Sequence, residues 1–164
     1  MTATYEKIAT TTVSGGATAT VTLSSISGSY TDIVMVVTGG GDEGSLRLYF
    51  NSDTGNNYST TIISGTGSAA NSTRQSNNNA ILIAGIYGAT NANTNTIVQI
   101  QNYSNTTTNK TVLCRTNIPD DESAACVGLW RSTAAISTVN ITAINNTGFW
   151  LSGSKVTLYG IKAE

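Results

Sequence analysis

The sequence predicts an all-β protein, an antiparallel two-sheet sandwich of jelly-roll type with little or no helix. Three observations predict it. Thr, Ser and Asn contribute 28, 18 and 17 of the 164 residues, and 16 Gly bring these four types to nearly half the chain. Thr fits the pleat of a strand through its branched Cβ, whereas Ser, Asn and Gly populate turns and left-handed positions. Apolar residues fall in short runs, many alternating with polar ones, at spacings of about 8–15 residues, the rhythm of a sandwich or barrel. No stretch sustains a helical period, and no repeat of about 20–50 residues suggests a solenoid or propeller.

A length of 164 residues suits one domain, 1–164. A domain of this size buries about 70% of its unfolded surface. The strand series opens with residues 4–13, closed by Ser14-Gly15-Gly16. Residues 17–23 alternate strictly, and 31–38 carry an apolar IVMVV before Gly39-Gly40-Gly41. Leu46–Phe50 sets Leu46, Leu48 and Phe50 against Arg47 and Tyr49. Residues 51–57 read as a turn and 58–63 as the next strand. The stretch 64–79 is too polar to be core. Residues 80–87 return to the interior and 95–103 alternate again. Residues 110–116 and 124–130 form a hairpin around 117–123, with Pro119 in the turn, where no ladder bond needs its N–H. Residues 137–144 and Lys155–Ile161 complete the series. Residues 1–12 are also expected to be free to act as an N-terminal arm reaching a neighbour.

Charge is scarce: 10% of residues, against about 25% in an average globular protein, for a net charge of −1. No basic run supports a nucleic-acid partner. No run of about 18 apolar residues supports a membrane span. The opening MTATYEKIATTTVSGG lacks the apolar region of a secretory signal, which predicts synthesis in a cytoplasm. Clusters of Val, Ile, Leu, Tyr and Trp argue for a folded chain over a disordered one. A surface of neutral hydroxyls and amides suits packed assemblies.

The residues offer little to catalysis. There is no His, which removes the commonest general base, the Ser-His triad and most zinc sites. Cys114 and Cys126 lack metal or redox spacing. Asp120, Asp121 and Glu122 could gather oxygen ligands for a cation, but they read better as a solvated hairpin turn. Asp42-Glu43 reads as a loop. Asn51-Ser52-Asp53-Thr54-Gly55-Asn56 resembles half of a calcium loop but lacks its closing Glu and flanking helices. Gly39-Gly40-Gly41 has no Lys and no following helix to make a phosphate cradle. Sequons at Asn102 and Asn109 are expected by chance in such a composition. Tyr5, Tyr30, Tyr49, Tyr58, Tyr87, Tyr103 and Tyr159, with Trp130 and Trp150, either fill the core or stack sugar rings. No residue is singled out as catalytic, cofactor-binding or metal-ligating, and no enzyme activity or cofactor is expected.

The hairpin makes a sharper expectation. Pairing Thr116 with Ala124 sets Cys114 opposite Cys126 and places Val112, Cys114, Cys126 and Trp130 on one sheet face. Opposed Cβ atoms lie about 4.5–5.5 Å apart, wider than a relaxed disulfide, and a cytoplasm keeps thiols reduced. Two neighbouring free thiols are therefore expected. The alternative is a disulfide formed once the protein meets oxygen.

The segments NYSNTTTNKTVLCRT (102–116), VGLWRSTAAIST (127–138) and VTLYGIKAE (156–164) resemble small virion structural proteins of tailed bacteriophages, cyanophages among them. SGSYTDIVMVV (27–37) and SLRLYFNSDTGNNYS (45–59) fit the same pattern. The resemblance implies a virion location. It also implies a capsid decoration or cement role, with other virion proteins as partners, the major capsid protein first, and a homo-oligomer, a trimer by preference. Its alternative is a tail or fibre module that binds host-surface glycans. In the closing strand, Leu158 and Gly160 should face one way and Tyr159 and Ile161 the other.

Overall fold

A computed structural model describes residues 4–14, 19–40, 45–83, 94–119, 122–143 and 150–162. Twelve strands alternate with turns, and the described residues hold no helix. They are β1 (Tyr5–Thr12), β2 (Thr20–Leu23), β3 (Asp32–Gly39), β4 (Leu46–Phe50), β5 (Tyr58–Gly65), β6 (Ala70–Asn78), β7 (Ile81–Ile83), β8 (Thr94–Ile100), β9 (Lys110–Asn117), β10 (Ser123–Trp130), β11 (Val139–Ala143) and β12 (Lys155–Ile161). An eight-stranded sheet runs β1-β12-β3-β8-β9-β10-β5-β6, and a four-stranded sheet runs β2-β11-β4-β7. Every pairing is antiparallel.

The topology is that of a jelly roll with additions. With β1 and β12 set aside, and the β8-β9-β10 meander counted as one strand, four strands remain in each sheet. The chain then passes between the sheets in jelly-roll order: β2, β4, β7 and β11 fall in one sheet, and β3, β5-β6 and the meander in the other. The added strands make the large sheet twice as wide as its partner.

Alternation drives the packing. Along β9, buried and exposed residues alternate without a break from Lys110 to Asn117, and β10 follows the same rule from Ser123 to Val127. The inner faces supply one core, including Ile33, Met35, Leu48, Phe50, Val112 and Leu158. Two glycines let the layers approach. A Cβ at Gly128 would sit 2.6 Å from Ile81 Cγ2, where β7 crosses the large sheet, and a Cβ at Gly160 would run into the Tyr30 ring. Leu82 N donates to Thr60 Oγ1 at 3.1 Å, tying β7 to β5. In the closing strand, Leu158 and Gly160 are buried, whereas Tyr159 and Ile161 are half-exposed on the other side.

Two expectations need correction, and one stretch that is indeed outside the core proves to hold a strand. The polar stretch 64–79 includes a nine-residue strand, β6, at the free edge of the large sheet. It carries no hydrophobic signal because nearly all of it is exposed. The N-terminal stretch is not a free arm from Tyr5 onward: β1 pairs with β12 of its own chain from Tyr5↔Ile161 to Thr12↔Lys155. Residues 1–3 lie outside the described ones. The hairpin register holds, with Thr116 opposite Ala124 and Cys114 opposite Cys126. The thiols, however, are joined as a disulfide. Their Cα atoms lie 5.0 Å apart, inside the usual disulfide range of about 4.4–6.8 Å. Directly opposed Cα atoms of an antiparallel pair lie about 4.5–5.5 Å apart, so ordinary strand spacing admits the bond.

Candidate functional site: the outer face of the large sheet

The sequence's chemical candidates turn out to be fold-makers where they are described. Asp53 is held in the β4–β5 turn, which bends through left-handed Asn51 and Ser52 at φ 51° and 55°. Its carboxylate accepts from Gly55 N at 2.9 Å, Asn57 Nδ2 at 3.0 Å and Trp130 Nε1 at 2.8 Å. Those donors leave no calcium-loop geometry. Partial burial pushes the Asp53 pKa up, but the bonds from Trp130, Gly55 and Asn57 together hold it below the usual carboxylate value. Gly39 closes β3 with φ 131°, and Gly40 is bound to Ser154, whose Oγ donates to Gly40 O at 3.0 Å. The described part of the glycine run is thus a turn clasp, and Gly41 lies outside the described residues. Glu122 closes the hairpin through its backbone, with Ile118 N donating to Glu122 O at 2.7 Å. Asp42, Glu43, Asp120 and Asp121 lie outside the described residues.

The motif VGLWRST organises the same end of the sandwich. Trp130 stacks on Tyr58 at 6.2 Å and 10°, and lies 5.5 Å from Phe50. Tyr58 Oη accepts from Phe50 N and donates to Asp53 O. Burial drives the Tyr58 pKa well above the normal phenol value. Arg131 Nη2 donates to Asn56 O at 3.0 Å and Asn77 Oδ1 at 3.1 Å. Asn51 Oδ1 accepts from Ser137 N and Thr138 N, holding the loop that follows. Lys110 is buried opposite Trp130, its Nζ donating to Thr108 O and Thr133 O, and desolvation lowers its pKa. Trp130, Trp150, Tyr58 and Tyr103 are all core residues.

What remains unpartnered is a surface. The registers define the outward rows of the large sheet. One runs Arg74–Thr61–Val127–Leu113–Gln99–Val34 across β6, β5, β10, β9, β8 and β3. The next runs Ile63–Ala125–Arg115–Ile97–Val36. Three of the four large hydrophobics most exposed among the described residues fall in these rows: Ile63 (63%), Val127 (52%) and Leu113 (47%). Val127 and Leu113 are directly opposed, and Ile63 is one step diagonal, opposite Ala125. The fourth, Tyr5, packs edge-on to Tyr159 at 6.5 Å, further along the same sheet.

The charge of the face is mostly positive. Lys7, Arg74, Arg115 and Lys155 stand in outward positions. Asp32, at the end of β3, is the one carboxylate in those rows among the described residues, and its Oδ1 accepts from Asn102 N at 2.7 Å. Two shallow hollows flank Leu113. One is lined by Ser59, Thr61, Arg74 and Val127, the other by Ile97, Arg115 and Asn117. Neither gathers a nucleophile with a base. No group of three or more metal-ligating side chains occurs among the described residues, and they include no helix long and apolar enough to cross a membrane.

The leucine was visible in the sequence. KTVLCRT alternates so that Leu113 must oppose Val112 and Cys114, which puts an apolar residue on each face of one strand. Compared with protein-family models, curated proteins and solved structures, the chain gives no significant match in any of the three.

Proposed function

We propose that this chain is a virion structural protein of a tailed bacteriophage, a capsid decoration or cement protein that stabilises the particle by protein–protein contacts. The observation that carries the reading is the uncovered apolar outer face of the large sheet, on a molecule whose polar clusters are spent on its own turns. Exposed contiguous apolar surface marks interaction sites in soluble proteins. Jelly rolls recur in viral capsid and lectin domains, which supports the reading by analogy of fold. The resemblance of 127–138 and 156–164 to phage virion proteins supplies the setting.

The glycan-binding alternative needs aromatic side chains exposed together at one end of the sandwich. Trp130, Trp150, Tyr58 and Tyr103 are instead buried, which leaves the exposed Tyr5 and half-exposed Tyr159 as the one aromatic pair it could use among the described residues. Self-association, a trimer by preference, belongs to the same proposal. Mass spectrometry of purified particles, with immunogold labelling, tests it. Label on the head is the expected result. Label on fibres transfers the chain to the alternative, and absence from the particle ends the virion reading.

A further inference from the structure

Resting on the virion reading, we infer that the outer face of the large sheet is the docking face, and that its seat is an apolar protein surface rimmed by carboxylates and not a second copy of this chain. Size, polarity and charge converge on this. Eight strands about 4.8 Å apart, most of them seven or eight residues long, cover on the order of 900 Å². That matches one partner's share of a standard protein–protein interface, about 800 Å². The centre is apolar apart from Arg115, through Ile63, Val127, Leu113 and Ile97.

The charges select the partner. Arg115 stands beside Leu113 two residues along β9, near the middle of the sheet, with Arg74 toward one edge and Lys7 and Lys155 toward the other. Face-to-face packing of two copies would press these cations together with only Asp32 to offset them, and Asp32 already caps Asn102 N. Like charges brought together across an interface cost several kcal/mol and exclude wrong partners. A seat with apolar ground, one carboxylate placed to meet Arg115 and others at its margin satisfies both features at once. Arg is also the side chain best shaped to meet a carboxylate, through two parallel N–H donors.

The test uses the full chain and particles purified from a phage strain lacking its gene. Wild type and variants are added back, and binding is read by co-sedimentation. Leu113→Asp and Val127→Asp should each weaken binding at least ten-fold. Arg115→Glu should weaken it about five-fold at low salt, and the gap should close near 1 M salt, where the screening length falls to about 3 Å. Ser24→Asp, on an exposed loop away from this face, should bind as wild type. All of these positions are at least half-exposed or lie in loops, and thermal melts verify folding. Should Leu113→Asp cause misfolding, Arg115→Glu decides alone. Wild-type binding that Leu113→Asp, Val127→Asp and Arg115→Glu all retain would overturn the face while leaving the virion reading intact. Wild type that never binds particles overturns that reading, and this inference with it. A self-associated wild type that Leu113→Asp dissociates in sedimentation velocity gives the face to a second copy and overturns the acidic seat.

Discussion

Asp53 and Trp130 lie 77 positions apart in sequence and meet through one hydrogen bond. In a chain with so few charges, a partly buried carboxylate satisfied by three donors is a strong local tie, since hydrogen bonds to charged groups contribute about 1.5–3 kcal/mol. Asp53→Ala should therefore cost about 2–3 kcal/mol in urea unfolding, by freeing the turn and leaving the Trp130 N–H unpaired. Asp53→Asn keeps an acceptor and should cost less. The sign of the pH effect follows from the lowered pKa. The stabilisation is complete above the unfolded carboxylate value, about 4, and is lost as pH falls through the lower folded value. The stability gap between wild type and Asp53→Asn should accordingly narrow between about pH 5 and pH 2. A gap that stays constant would mean that the ionised carboxylate is not what holds the turn. This role could not be read from residues 51–57, where the same acids and amides suggested at most a damaged calcium loop. Its key partner is distant in sequence.

Elements with one apolar face were legible and elements without one were not. Leu46–Phe50 and Lys155–Ile161 run between the expected boundaries because alternation marks each end. β6 (ANSTRQSNN) has no apolar residue larger than Ala and buries neither face, so only its pairing with β5 makes it a strand. The β9–β10 register was legible because both strands carry a strict period, and a one-residue slip would expose every core residue. The redox state was not legible, because it depends on how closely the two side chains approach and on the oxidant encountered. With the fold joining Cys114 to Cys126 across 12 positions, denatured but unreduced protein should show no free thiol. Replacing both residues by Ala should cost about 3 kcal/mol. Free thiols in freshly purified particles would restore the reduced-cysteine expectation. Gly160 makes a similar local demand on β12. Gly160→Ala should cost roughly 1–3 kcal/mol through overpacking against Tyr30. Tyr30→Ala should relieve most of that cost, so the double mutant should be more stable than the sum of the single effects predicts.

At the scale of the whole molecule, the two sheets protect their strands unequally. β8, β9 and β10 each have a hydrogen-bonded neighbour on both sides and lie near the middle of the large sheet. Among the described residues β6 has a strand neighbour on one side only, and its other edge turns every second N–H and C=O of its nine residues outward. Natural edges are guarded by charge, proline, bulges or brevity. β6 has no proline, one arginine, and a register shift only near its Asn78 end, between Tyr58 and Thr60 of β5. The edge is therefore open to pairing with another strand. Hydrogen exchange separates an open edge from an occupied one. In an isolated monomer, amides of β8, β9 and β10 should exchange only through global unfolding, whereas every second amide of β6 should exchange orders of magnitude faster. If the chain self-associates by joining β6 edges, those fast amides should slow as protein concentration rises, with β9 unchanged. Protection that rises equally across β6 and β9 would instead mean that assembly stabilises the fold as a whole. Fast exchange in β6 at every concentration would remove this edge from any self-association, leaving docking to the broad outer face beside it.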